Sequence, residues 1–246
     1  TSSSDQNSTD RETLLMEMPY EPVPEENFEF DDILNRSVAI QYICCSHNRQ
    51  AQASKWLPND YRAYLAAYHH YLDIVDKQIG TLLDALKNSA GYEDTAIMFF
   101  SDHGDGMAAR GSVTKQVAMY HETVNVPLFI GGKPFENMKG RTIEGLAENL
   151  DVVPTLLDLA GIAKPKTMSG ISLKSAIESA KIDREYAVSE WHTEWGFTIS
   201  PGRMIRTQDF RYTHFIEDSK EELYDLKKDP FEKKNVADNP EYEYAL

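Results

Sequence analysis

An α/β fold followed by a small antiparallel sheet is what this sequence predicts, on three observations. Ala96-Ile97-Met98-Phe99-Phe100 is an unbroken apolar run that stops in Ser101-Asp102-His103-Gly104, the pattern of a short strand buried on both faces. Upstream, residues 59–87 repeat apolar side chains at helical spacing. After Arg184 the chain changes to short strand-like segments separated by polar turns at seven- to ten-residue spacing, the rhythm of an antiparallel sheet.

In chain order, residues 1–10 are rich in Ser, Asn and Asp, and Pro19, Pro22 and Pro24 follow. Residues 1–30 therefore read as an extended, partly disordered arm. Residues 33–43 fit a helix, which leads into Cys44-Cys45-Ser46-His47-Asn48-Arg49-Gln50. His47 and Arg49 are tempting anion ligands, but a polar loop or helix surface packed on the body is the simpler reading. The helix over 59–87 follows Pro58, with Asn59 as its cap. Tyr61, Tyr64, Leu65, Tyr68, Leu72, Val75, Ile79, Leu82, Leu83 and Leu86 share one face, and that face should pack on the sheet. Gly91 stands where a left-handed residue ends such a helix. His69 and His70 are adjacent and so point to different faces.

The strand 96–100 ends in a carboxylate and an imidazole, followed by Gly104 and Gly106, which let the backbone turn away. That is where open α/β sheets place their ligands. Asp102 and His103 can reach one metal ion through oxygen and nitrogen. An ordinary turn with a solvated Asp and a hydrogen-bonded His fits the same three residues. A loop with Arg110, Gly111 and Lys115 follows, then a second buried strand over 126–130 with Pro127 at its start. Asp151 caps a further helix that carries Pro154 in its first turn and ends at Gly161. Residues 173–179 form a short helix. The later strands are expected over 185–190, 203–207, 210–216 and 222–226, with Trp191-His192-Thr193-Glu194-Trp195-Gly196 joining the first two. Two aromatics beside His192 and Glu194 suit sugar contacts, although Trp in a loop is usually a packing anchor. Three regions result: the arm at 1–30, an α/β portion at 31–180 and an antiparallel subdomain at 181–246.

Composition narrows the partners. The apolar share is 41%, the formal net charge is −15 and the pI is near 4.9. An acidic chain disfavours nucleic-acid and anionic-membrane partners, which need basic patches. The two cysteines are adjacent and make neither a disulfide framework nor a Cys-x-x-Cys metal site. Neither a signal peptide nor a transmembrane run stands out.

The order of segments resembles the second half of a sulfatase, in the alkaline phosphatase superfamily. The matching stretches are the Ser101-Asp102-His103-Gly104 strand end, the Gly-rich loop with Lys115, and Tyr120-His121-Glu122-Thr123-Val124-Asn125-Val126-Pro127. Then come Asp151-Val152-Val153-Pro154-Thr155-Leu156-Leu157-Asp158, and Glu222-Leu223-Tyr224-Asp225-Leu226 running on to Asp229-Pro230. Matching segments in one order are a stronger signal than any single motif. Two positions depart from the family pattern: His121 stands where it has Glu, and Asn125 where it has Arg.

The resemblance implies part of an alkaline phosphatase-like mixed sheet with flanking helices. It further implies Asp102 and His103 as metal ligands, and Lys115 as the residue that binds sulfate and neutralises the leaving oxygen. His192 is a candidate sugar contact, and a sulfated carbohydrate or other sulfate ester is the expected partner. The expected cation is calcium, with another divalent ion open because imidazole is unusual beside hard oxygen ligands. A cation and Lys115 also resolve the conflict between an anionic substrate and an acidic chain. The family nucleophile is a formylglycine made from Cys or Ser in a Cys/Ser-x-Pro/Ala-x-Arg motif. Neither Cys44 nor Cys45 fits that motif, and the family's upstream Asp-Asp metal pair is absent. The expectation is a C-terminal portion whose nucleophile comes from a missing N-terminal half, with the 246-residue chain inactive by itself. If the full-length protein carries a signal peptide, periplasmic or secreted placement follows. A metal-dependent phosphoesterase of the same superfamily and a non-catalytic binding domain are the alternatives. The Lys115 region and the Asp225 to Pro230 ending favour the sulfatase.

Overall fold

The computed structural model describes residues 36–46, 52–53, 55–115, 119–192, 201–216 and 220–246. The expected arm at 1–30, His47, Arg49 and the segment from Thr193 to Gly196 lie outside them. In order, the main elements are α1 (Val38–Ser46), α2 (Pro58–Lys87), β1 (Ala96–Phe100), α3 (His121–Val124), β2 (Leu128–Gly132), α4 (Val152–Leu159) and α5 (Lys174–Ser179). Four strands follow: β3 (Ala187–Trp191), β4 (Gly202–Arg206), β5 (Phe210–Phe215) and β6 (Glu221–Asp225).

Strands β1 and β2 pair antiparallel, with Ala96 opposite Gly132 and Phe100 opposite Leu128. β2 thus starts two residues later than the apolar run at 126–130 suggests, because Pro127 lacks the N–H a ladder needs. The pair is also less buried than the run implies: Phe99 and Phe100 are 43% and 44% exposed, and Phe129 64%. The last four strands form one antiparallel sheet in sequence order.

Helix α2 has the expected length but a different start. Pro58 occupies its first turn, where a missing N–H costs nothing, and the Asp60 carboxylate accepts from the Leu57 N–H at 2.8 Å. Its end is made by Asn88 rather than a left-handed glycine, since Gly91 has φ −89°. Only its first turns are buried, with Tyr61 and Leu65 packed against Ala53, Ala108 and Val113. Beyond them the apolar stripe is open: Leu72, Val75 and Leu82 are all exposed. The expectation that this face packs on the strands is therefore not met among the described residues.

Helix α4 is likewise not capped by the Asp151 side chain. That carboxylate is buried and accepts a bidentate pair from Arg184 at 2.6 and 2.7 Å, plus the N–H groups of Glu148 and Ile171, each at 2.8 Å. Gly161, with φ +70°, takes the left-handed turn after the helix. One hydrophobic core joins distant parts of the sequence: Ala39 and Ile40 of α1 sit with Met119 and Tyr120 on Met204, Phe215 and Tyr224 of the four-stranded sheet. No helix among the described residues is long and apolar enough to cross a membrane.

Candidate functional site

The site grows from the end of β1. Its last turn is fixed by local bonds: the Ser101 hydroxyl donates to the His103 carbonyl at 2.7 Å, and the His103 N–H donates to Asp102 Oδ1 at 2.9 Å. Asn149 spans the turn, its amide donating to the carbonyls of Ser101 and Asp102 at 3.0 and 3.1 Å. Gly104 is needed by close approach. Its N–H donates to the Thr123 carbonyl at 2.8 Å, and a Cβ there would collide with the Glu122 carbonyl. The Asp-His pair is thereby docked on α3.

Residues 107–114 carry the chain from that turn to Lys115. Met107, Ala108 and Arg110 all have positive φ, a conformation that costs non-glycine residues energy. Packing holds it. Ala108 is fully buried, and Tyr64 and Tyr61 of α2 donate to Asp105 at 2.8 Å and to the Gly111 carbonyl at 3.3 Å. Arg110, in the same loop, is buried and engaged. It donates to Glu122 at 2.8 Å and to the Phe231 carbonyl at 2.7 Å, and lies over the Tyr120 ring at 4.0 Å.

Lys115 returns over the strand end, so that its ammonium contacts Nε2 of His103, while Asp102 Oδ2 lies 3.3 Å from the same nitrogen. His103 Nδ1 is 2.8 Å from the Gly104 carbonyl. A carbonyl only accepts, so Nδ1 carries the proton and Nε2 keeps its lone pair for the ammonium or a cation. The structure thus brings Asp102, His103 and Lys115 into one cluster, open to solvent.

As a metal site the cluster supplies one carboxylate and one imidazole. No group of three or more His, Cys, Asp or Glu is poised to hold a metal among the described residues. Calcium takes six to eight oxygen ligands, so the pair fits as part of a shell and not as a whole one. A divalent cation bound there would supply positive charge to an anionic substrate.

The cluster opens onto a cavity of about 650 Å³. Its near wall is Asp102, His103 and Lys115, with His121 and Asn125 beside them. Its far wall comes from β3 and β4, including Trp191, Met204 and Arg206. His121 and Asn125 point at each other, with Nδ2 to Nε2 at 3.3 Å. His192 is exposed and is not among the residues lining the cavity. Its neighbour Trp191 lines it, and the indole N–H of Trp191 is buried without a hydrogen-bond partner among the described residues. Arg206 escaped sequence reasoning as a site residue, whereas Trp191 was one of the two aromatics weighed there as sugar contacts. The only available signal was the alternation that puts Met204 and Arg206 on one face of β4.

Behind the cavity lies a buried ionic core. Arg211 Nε is 2.8 Å from Glu232 Oε1, and Arg211 donates to the Met119 carbonyl at 2.6 Å. Tyr120 donates to Glu222 at 3.1 Å, and Arg211 lies over the rings of Tyr120 and Tyr224 at 4.7 and 4.6 Å. Burial, then the Glu222 charge, raises the Tyr120 hydroxyl well above the usual range and keeps it a neutral donor.

Two family models match the chain: Sulfatase over residues 18–162, and N-sulphoglucosamine sulphohydrolase, C-terminal, over 112–245. A Delta 4,5-hexuronate-2-O-sulfatase of Bacteroides thetaiotaomicron is 44% identical over 230 residues, which is 92% of this chain and 48% of the relative. An arylsulfatase of Clostridium perfringens is 34% identical over 74% of this chain and 37% of its own length. Among solved structures, a 2-O GAG sulfatase superposes with a TM-score of 0.84 at 42% identity, covering 92% of this chain and 50% of that one. A phosphonate monoester hydrolase of Agrobacterium radiobacter superposes at 0.79 with 25% identity, covering 89% and 48%. The chain spans about half the length of these solved relatives.

Proposed function

The chain belongs to the sulfatase family, and from that premise we propose that it is the C-terminal portion of an enzyme hydrolysing sulfate monoesters of carbohydrates. Its fold is that of the alkaline phosphatase superfamily. The observation that carries the proposal is the convergence of Asp102, His103 and Lys115 at the mouth of a sugar-sized cavity.

Each residue has a role in this reading. Asp102 and His103 contribute two ligands to a divalent cation, with calcium the first candidate. Lys115 is a flexible point charge suited to a tetrahedral anion. It holds a sulfuryl oxygen and stabilises charge that grows as the ester bond breaks. Asn149 and Gly104 fix the strand end and so fix where those charges point. A formylglycine in a preceding segment of the same polypeptide supplies the nucleophile. The open apolar stripe on α2 and the exposed phenylalanines of β1 and β2 support such a segment, since patches of this kind mark surfaces that another structure covers. The 44% identical relative is named for a hexuronate 2-O-sulfate, which makes a sulfated hexuronate the first substrate to try.

The test uses the natural polypeptide at its full length, matured and supplied with calcium. Sulfate release from sulfated mono- and disaccharides is measured for it and for Lys115→Ala. Release that depends on Lys115 is expected. Absence of release from every sulfated sugar, or full release by Lys115→Ala, overturns the proposal.

A further inference from the structure

We infer that Arg206 is a specificity residue that holds a second anionic group of the substrate, the carboxylate of a uronate ring, across the cavity from the Lys115 cluster. The inference rests on the sulfated-carbohydrate reading given above and extends it to one residue.

Arg206 ends β4 and points to the same face as Met204, with which it lines the cavity. It is largely removed from solvent. Burial holds its guanidinium below the usual arginine range, with the Glu232 charge opposing that shift and Arg211 adding to it. Its partner across the ladder is Arg211, and like charges directly opposite one another are unfavourable. Arg211 is neutralised by Glu232 at 2.8 Å and lies 3.9 Å from Glu222. Arg206 has no such partner within ion-pair distance among the described residues.

The carboxylates of the cavity wall are all spent elsewhere. Glu148 is 3.4 Å from Arg184 and accepts the Val188 N–H at 2.7 Å. Glu190 pairs with Arg203 at 2.8 Å and Glu232 with Arg211, while Asp102 belongs to the Lys115 cluster, where its Oδ1 accepts the His103 N–H at 2.9 Å. Leaving a guanidinium half-buried without a counter-ion is costly. A ligand that brings its own anion removes that cost, and a planar carboxylate matches the guanidinium fork with two parallel hydrogen bonds. The sulfate ester already has its cations at the opposite wall, so the second anion belongs to another position of the same sugar. The cavity, at about 650 Å³, lies within the range that encloses a small ligand.

The experiment measures kcat/KM of the full-length natural polypeptide on three substrates: a 2-sulfated hexuronate, its uncharged methyl ester, and a disulfated hexosamine without a carboxylate. The readout is the preference for the uronate over its methyl ester. Arg206→Gln should lower that preference by about ten- to a hundredfold, the range of one charge-assisted hydrogen-bonded contact. Arg206→Lys should restore part of it, and guards against a Gln variant that folds poorly. Lys115→Ala should lower both substrates together and leave the preference as it was. An unchanged preference in Arg206→Gln, with turnover still dependent on Lys115, overturns this inference and leaves the sulfatase reading standing. The same holds if the disulfated sugar alone suffers, which would assign Arg206 to a second sulfate. No turnover of any of the three by the unmodified enzyme overturns both.

Discussion

Glu232 accepts a hydrogen bond from the backbone N–H of His121 at 2.9 Å, linking a residue near the chain's end to the first turn of α3. The same carboxylate holds Arg211 at 2.8 Å, and both side chains are at most 1% exposed. Glu232 also has φ +55°, a conformation a Glu keeps only when its surroundings fix it. The segment after β6 therefore clamps the helix that borders the cavity. Glu232→Ala should strip the buried Arg211 of its close counter-ion and leave it only Glu222 at 3.9 Å, at a cost of about 3–5 kcal/mol. The urea midpoint of unfolding measures it; a midpoint within error of the unmodified protein would show that the clamp carries no stability.

Lys115 and the Asp-His pair should separate by what each removal disturbs. Lys115→Ala is expected to lower turnover by about a hundredfold or more, on the scale of losing one oxyanion donor, with the fold intact because an exposed loop Lys contributes little packing. Asp102→Ala should weaken metal affinity. His103→Ala should weaken it less, since a neutral ligand holds a hard cation less firmly. Metal content and sulfate release, measured side by side, check the three. Near-normal release by Lys115→Ala together with full metal content in Asp102→Ala would remove the strand end from the active site.

The parts of this site legible in the sequence are those encoded locally. A buried run ending in Asp102-His103 and a Gly-rich loop to Lys115 are contiguous patterns, and the structure brings those three side chains together. Ionic partners separated by long stretches of chain leave no local trace. Arg110 with Glu232 and Arg184 with Asp151 are ordinary charged residues until folding pairs them. Periodicity told which face of α2 is apolar, but not what covers it, and most of that face is open here. Arg206 was silent because its significance lies in lacking a partner, a property of the folded neighbourhood alone.

The Asp151–Arg184 pair predicts an acid response. Burial pushes the Asp151 carboxyl up, but the Arg184 guanidinium and the Ile171 and Glu148 N–H groups outweigh it and hold it below the usual Asp range. A carboxyl lowered on folding stabilises the fold at pH above its unfolded value, about 3.9, and that contribution is lost as pH falls through the folded value. Arg184→Met removes the main lowering contact and leaves the burial. The stabilisation should then fade at a higher pH, and the acid-unfolding midpoint should move upward. Ellipticity followed from pH 7 downward in both proteins tests this, and coincident midpoints would show that the pair does not govern acid stability.

Gly104 tests whether the docking of the strand end on α3 matters to the chemistry. Its N–H reaches the Thr123 carbonyl at 2.8 Å only because no Cβ stands between it and the Glu122 backbone. The obstruction in Gly104→Ala would be backbone, not a flexible side-chain tip, so relief requires the Asp102-His103 turn or α3 to move. Overpacking of this kind costs about 1–3 kcal/mol. The consequence for function should exceed the consequence for stability. A shift of one ångström in a group that positions the reacting atoms is felt by about a hundredfold in rate, whereas the cavity wall formed by β3 and β4 is untouched. The expected result is a modest fall in melting temperature, a large fall in kcat for sulfate release and a weaker affinity for the activating cation. The decisive comparison is with Gly91→Ala, where an added Cβ meets nothing within 4 Å and both quantities should stay near their original values. Equal behaviour of the two variants would mean that the contact between Gly104 and α3 does not set the geometry of the Asp102, His103 and Lys115 cluster.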